Sequence, residues 1–246
     1  MKHPLPARPS LGEHDGLSYA LFLPEDAPRA GVVICHGAGS AKESHFDFAR
    51  VARDRGLAAL AYDARGHGRS SGELGPGLAG DALAMCDLMR EHAPSVALRG
   101  SSLGGFTAIM AAAASHGSVG AVAALCPAPG ELLARALRSE RVDVEFRADV
   151  ERLEPWLASV SLTEAAASLG PHTALLLMHA RGDEQVPDTV SEELYEAASE
   201  PKRLLLVPGG HHRSLQHDVE MQNEALRFVE RALAAGGAGG GGGAAA

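Results

Sequence analysis

The sequence predicts an α/β fold: a mostly parallel sheet with helices packed on both faces. Three observations predict it. Short, unbroken apolar runs recur from about residue 30 to the end, as they do in strands buried on both sides. Helical stretches separate these runs, and alternation of the two is the pattern of a covered parallel sheet. The length, 246 residues, suits one large domain whose core needs no staples.

Taken in order, residues 17–23 (LSYALFL) alternate weakly and stop at Pro24, which predicts an early strand at a sheet edge. AGVVICHG follows, a β-branched run that stops at Gly37. The runs LAALAYD (57–63), SVALRG (95–100), VGAVAALCP, TALLLMHA and KRLLLVPG repeat that character. Helices are expected over 46–55, 78–91 and 106–114. Two segments break the alternation. Residues 127–170 hold charged amphipathic stretches without a strand, and so long a connection suggests a lid-like insertion. Residues 235–246 are glycine and alanine, which reads as a flexible tail after a domain spanning 1–234.

Composition excludes several classes. The formal charge is −9 with 4% aromatic residues, which argues against a nucleic-acid binder. Cys35, Cys86 and Cys126 cannot all pair with one another, and none falls in a zinc-like spacing. No apolar run reaches the length of a membrane span, and no apolar region follows the charged start as in a signal peptide. A cytoplasmic protein is the expectation.

The sharpest local feature is Gly100-Ser101-Ser102-Leu103-Gly104-Gly105, set between the run SVALR and the apolar stretch FTAIMAAAA. A serine on a strand-to-helix elbow needs a strained backbone, and flanking glycines remove the Cβ atoms that would clash there. Its hydroxyl then projects beside a helix N-terminus, which favours developing negative charge. Gly68-Arg69-Ser70-Ser71-Gly72 matches the same string, but no strand directly precedes it. A nucleophilic serine needs a base and the base an acid, which in this elbow's chain order come as acid, then histidine. Asp183 follows TALLLMHA, and His211-His212 follow RLLLVPGG, so both groups fall at carboxyl ends of strands, where the elbow points.

These motifs resemble the α/β-hydrolase superfamily over about residues 17–234. The resemblance rests on His36-Gly37-Ala38-Gly39, on Asp63-Ala64-Arg65-Gly66-His67-Gly68-Arg69-Ser70, on the elbow, on Gly182-Asp183 with Val186-Pro187, and on Pro208-Gly209-Gly210-His211-His212. It is closest in character to the compact branch of dienelactone hydrolase-like and monoacylglycerol lipase-like esterases.

The resemblance implies Ser102 as nucleophile and Asp183 as triad acid. The register of the family's PGxxH pattern selects His212 over its neighbour His211 as the base. Ala38 and Leu103 are implied as the backbone donors of an oxyanion hole. Asp63 is implied to brace a structural turn and His36 to support the oxyanion loop. Among the remaining candidates, Glu184 reads as a solvated carboxylate and Cys126 as a buried thiol. Trp156 either lines an acyl pocket or packs the insertion. His67, His179 and His217 lack partners at metal-ligand spacing.

The expected activity is hydrolysis of a small or medium acyl ester through an acyl-enzyme, without metal or organic cofactor. The expected partner is a small-molecule ester. A thioesterase or peptidase-type acyl hydrolase, and a non-catalytic binding module on the same fold, are the competing readings.

Overall fold

A computed structural model describes residues 8–138 and 146–239. Its strands are β1 (Ser10–His14), β2 (Leu17–Phe22), β3 (Gly31–Cys35), β4 (Ala58–Tyr62), β5 (Val96–Ser101), β6 (Ala121–Leu125), β7 (Ala174–Ala180) and β8 (Lys202–Val207). They form one sheet in the order β1-β2-β4-β3-β5-β6-β7-β8. From β4 to β8 every pairing is parallel, whereas β2 runs antiparallel to both β1 and β4.

The second strand is therefore not the edge that the sequence led us to expect. A hairpin places β1 outside it, with Ser10 opposite Leu21 and His14 opposite Leu17. Asp15 and Gly16 make that turn at φ 51° and 77°, the left-handed pair that matches strand twist. Strand β1 is polar and mostly exposed, so it carries no apolar run for a periodicity argument to find.

Helices α1 (Phe46–Asp54), α2 (Leu78–Arg90), α3 (Leu103–Ala114), α7 (Thr189–Ala197) and α9 (Val219–Gly239) flank the sheet. Alternation along each strand divides the core in two. Val33, Cys35, Leu98 and Leu177 face α2 and α3, with Met85 and Phe106. Val32, Ile34, Ala97 and Leu176 face α1 and α9, with Phe48 and Leu226. Strand order reverses about β3, so a crevice lies outside the carboxyl ends of β3 and β5, where α/β sheets bind ligands.

Among the described residues, three α-helices and a short 3-10 turn (Gly170–His172) stand between β6 and β7: α4 (Gly130–Arg138), α5 (Val150–Ser159) and α6 (Leu162–Ser168). Asp149 caps α5 by accepting the Arg152 N–H, and Ser161 caps α6 through the Glu164 N–H. A strap ties this region to the body: Leu74 N–H donates to Arg147 O, and Asp149 N–H donates to Leu74 O. Residues 139–145 of the expected insertion lie outside the described residues. At the C-terminus α9 runs to Gly239, five residues into the stretch expected as tail. Alanine is the best helix former and two alanines carry the helix onward from Leu233; residues 240–246 lie outside the described residues.

Candidate active site

Ser102 sits where β5 turns into α3, at φ 55° and ψ −120°. For a residue with a Cβ this is a strained region costing about 1–3 kcal/mol, held only where its surroundings enforce it. The enforcement is visible. Ser102 N–H donates to Leu125 O at 2.9 Å, and Ser102 O accepts from Phe106 and Ala128 N–H groups. A Cβ on Gly100 would come 2.0 Å from Gly104 O, and one on Gly104 would come 2.1 Å from Cys35 O. The two glycines therefore let the start of α3 lie against the ends of β5 and β3. Ser102 precedes α3 without using its hydroxyl as a cap, and Ser102 Oγ forms no hydrogen bond among the described residues.

The loop after β3 approaches the same point. A Cβ on Gly37 would lie 3.5 Å from Ser102 Cβ, so Ala38 follows directly beside the elbow. The Ala38 N–H has no acceptor among the described residues, and Leu103, as the first residue of α3, has none within its helix. Two histidines shape this loop. His67 Nε2 accepts the Gly39 N–H at 3.1 Å, and His36 Nε2 accepts the Ala64 N–H at 2.9 Å. Burial, then the neighbouring His67, pushes the His36 imidazole down to about 4, so it stays a neutral acceptor.

Asp183 and His212 meet on the other side. His212 Nδ1 lies 2.7 Å from Asp183 Oδ2, and both side chains are almost wholly buried. Asp183 Oδ1 accepts the N–H groups of Gln185 and Val186 at 2.8 and 2.9 Å. Burial alone would raise this carboxyl, but hydrogen bonds from His179, His212 and the two amides hold it well below the usual carboxylate range. His211 turns away: its N–H donates to Ser214 Oγ and its Nδ1 accepts from Arg213 N–H.

The remaining candidates separate by environment. Asp63 is fully buried against Lys42 Nζ at 2.6 Å and also accepts the Lys42 and Arg69 N–H groups. Ser70, the rival elbow serine, is buried and donates to Asp63 O while accepting the Ser18 N–H. Both are consumed by the turn they build. Glu184 is exposed, yet it accepts the His212 main-chain N–H at 3.1 Å, a contact the sequence reading did not anticipate. Trp156 packs edge-on to Phe106 at 5.9 Å.

Residues missed in the sequence gather here too. Ser101 Oγ donates to Gln216 Oε1 at 3.1 Å, which joins β5 to α8 (Ser214–His217) just after His212. His179 touches Asp183 at 3.3 Å; its signal was a single imidazole inside an apolar strand run. Cys126, His179 and Asp183 offer ligand-type atoms within 4.8 Å of one another. The set suits a metal poorly, because burial raises the Cys126 thiol to about 12 and both Asp183 oxygens already accept hydrogen bonds.

Ala38 and Leu103 line a small cavity of about 40 Å³ whose other described walls are Leu133, Ala136 and Leu137 of α4, Leu153 and Leu157 of α5, Leu74 and Phe146. Every described lining side chain is apolar. Among the described residues, no helix is long and apolar enough to cross a membrane.

Known proteins are similar to this chain in sequence or in fold. A family model, Hydrolase_4, described as serine aminopeptidase, S33, matches residues 26–140. The uncharacterized protein Rv2307c of Mycobacterium tuberculosis is 30% identical over 222 residues, 84% of this chain and 72% of its own. YfhR of Escherichia coli O157:H7, also uncharacterized, is 27% identical over 85% of this chain and 73% of its own. Est1E from Butyrivibrio proteoclasticus, solved with ferulic acid bound, superposes with a TM-score of 0.76 at 20% identity, covering 92% of this chain and 99% of its own. A monoacylglycerol lipase of Paleococcus ferrophilus gives 0.68 at 22% identity over 89% and 98%. At these identities the structural likenesses speak for the fold.

Proposed function

The chain belongs to the α/β-hydrolase superfamily, and from that premise we propose that it is a serine hydrolase cleaving carboxylic esters of small or medium acyl size through an acyl-enzyme. One observation carries the reading: His212, on the loop after β8, is hydrogen-bonded to the strand-end Asp183 through Nδ1, which leaves Nε2 for the serine. In this mechanism His212 Nε2 takes the Ser102 proton as Oγ attacks the carbonyl carbon. Asp183 fixes the tautomer and stabilises the imidazolium while remaining ionised. The N–H groups of Ala38 and Leu103 receive the oxyanion, each worth about 3 kcal/mol at the transition state. His212 then protonates the leaving alcohol and activates the water that releases the acid. Catalytic serine–histidine bonds are commonly long without substrate and tighten in the complex.

Helices α4 and α5 act as the lid, and the apolar cavity beneath them receives the acyl chain. The family description names an aminopeptidase, but a peptide ammonium calls for a carboxylate partner. Among the described residues the cavity beside Ala38 and Leu103 has apolar walls only, which favours an acyl chain over a peptide N-terminus. Cytoplasmic location and a free small-molecule substrate complete the proposal.

The test pairs fluorophosphonate labelling with turnover of p-nitrophenyl acetate, butyrate and octanoate, on wild type and Ser102→Ala. Labelling and turnover lost together in the variant support the reading. A wild type that neither labels nor turns over overturns it in favour of a binding module.

A further inference from the structure

His179 stands in β7, four residues before Asp183, and is wholly buried. Its Nε2 lies 3.0 Å from Val186 O and 3.3 Å from Asp183 Oδ2. A carbonyl and a carboxylate are both acceptors, so Nε2 must carry the proton. Nδ1 is then an acceptor, and the group facing it at 2.7 Å is the hydroxyl of Ser191, fully buried on α7. Ser191 Oγ–H therefore donates to Nδ1, and the tautomer of His179 is locked from outside the site. Asp183 Oδ2 thus faces two imidazole N–H groups, His212 Nδ1 at 2.7 Å on one side and, on the other, His179 Nε2 at 3.3 Å, whose N–H is shared with Val186 O.

We propose that His179, locked by Ser191, is a positioning residue that holds the Asp183 carboxylate ionised and aimed at His212. This inference rests on the serine-hydrolase reading above. When His212 becomes an imidazolium, the proton stays on His212 because Asp183 Oδ2 already has the His179 N–H beside it; His179 neither gains nor loses a proton. The second donor also draws charge from the oxygen that His212 uses. Removing it concentrates that charge and stabilises the imidazolium, so the acid limb of the pH profile moves up. Among the described residues, the other ionisable groups facing the pair are Cys126, beside Asp183 at the end of β6, and Glu184, which accepts the His212 main-chain N–H.

The experiment measures pH profiles of kcat and kcat/KM with p-nitrophenyl butyrate for wild type, Ser102→Ala, His179→Leu and His179→Gln. Glutamine places an N–H donor near the position of Nε2, whereas leucine places none. His179→Leu is expected to lose about 10- to 100-fold in kcat, with KM within about threefold and the acid limb raised by about half a pH unit. His179→Gln is expected to recover kcat to within about threefold of wild type and to restore the limb. Turnover that depends on Ser102 but is unmoved in rate and acid limb by His179→Leu overturns the role of His179 alone. Equal losses in Leu and Gln also overturn it, as loss of packing. Turnover that does not depend on Ser102 overturns the serine-hydrolase reading and this inference with it. Should His179→Leu fail to fold, imidazole ¹⁵N resonances of the wild type decide: protonated Nε2 with bare Nδ1 is required, and the opposite tautomer overturns the proposal.

Discussion

Two aspartates close parallel strands of this sheet in similar burial and by opposite means. Asp63, at the end of β4, meets the ammonium of Lys42 and main-chain N–H groups of Lys42 and Arg69. Asp183, after β7, meets two imidazoles and the N–H groups of Gln185 and Val186. Hydrogen bonding outweighs burial and lowers both carboxyls. The contrast lies in what each charge faces. A lysine ammonium is a permanent counter-charge and finishes a structural turn; an imidazole can accept a proton and lets the carboxylate respond to it.

The largest break in that comparison is expected from swapping functional for structural loss. Asp183→Asn is expected to cut kcat about 10³- to 10⁴-fold in every folded molecule, because the amide disturbs the His212 tautomer. Asp63→Ala is expected to act on stability instead: the buried Lys42 ammonium keeps only the exposed Glu43 carboxylate at 3.2 Å, which costs up to about 3 kcal/mol, and the folded fraction keeps its kcat. Chemical denaturation beside active-site titration of both variants checks this; a large kcat loss per folded molecule in Asp63→Ala would erase the distinction.

Acid sharpens it next. His36 has a folded value of about 4 against 6.5 in the free side chain, so the unfolded chain binds its proton first. Stability is then fully present above pH 6.5 and is lost as pH falls toward 4, by about 3 kcal/mol at most. His45 and His67 are lowered mainly by burial and act in the same direction. The two aspartates, lowered in the fold, contribute stability above about pH 3.9 that is lost as pH falls through their lower folded values. Melting temperatures from pH 8 to 3 should therefore fall in two stages. Asp183→Asn should flatten only the lower one; flattening of the upper stage would contradict the assignment to histidines.

The smallest effect concerns the apolar cavity. Leu137→Phe on α4 fills part of it without entering the buried core. It is expected to lower the octanoate-to-acetate ratio of kcat/KM about tenfold, since pocket methylenes are worth about 1–3 kcal/mol each. An unchanged ratio would place the acyl chain elsewhere.

Seven of the strands were legible because each is an apolar run that its flanks interrupt. Strand β1 was not, although the Asp15-Gly16 pair that makes its turn stood in plain view: its polar exposed residues offer no buried face. The elbow was legible for a local reason, since Gly100 and Gly104 answer to atoms a few residues away. His179 was missed because its partners, Asp183, Val186 and Ser191, are assembled by a loop and a helix whose paths no spacing rule records.

By itself the sequence determined the parallel sheet, the strained serine turn and the three strand ends that could carry a serine, an acid and a histidine. Those features follow from side-chain burial and backbone sterics within short segments. Only the tertiary structure decided that His179 comes beside Asp183, that Lys42 pairs with Asp63, and that α4 and α5 roof the cavity beside Ala38. Each of those depends on how loops and helices settle against the sheet, and a few ångströms there separate a hydrogen bond from none.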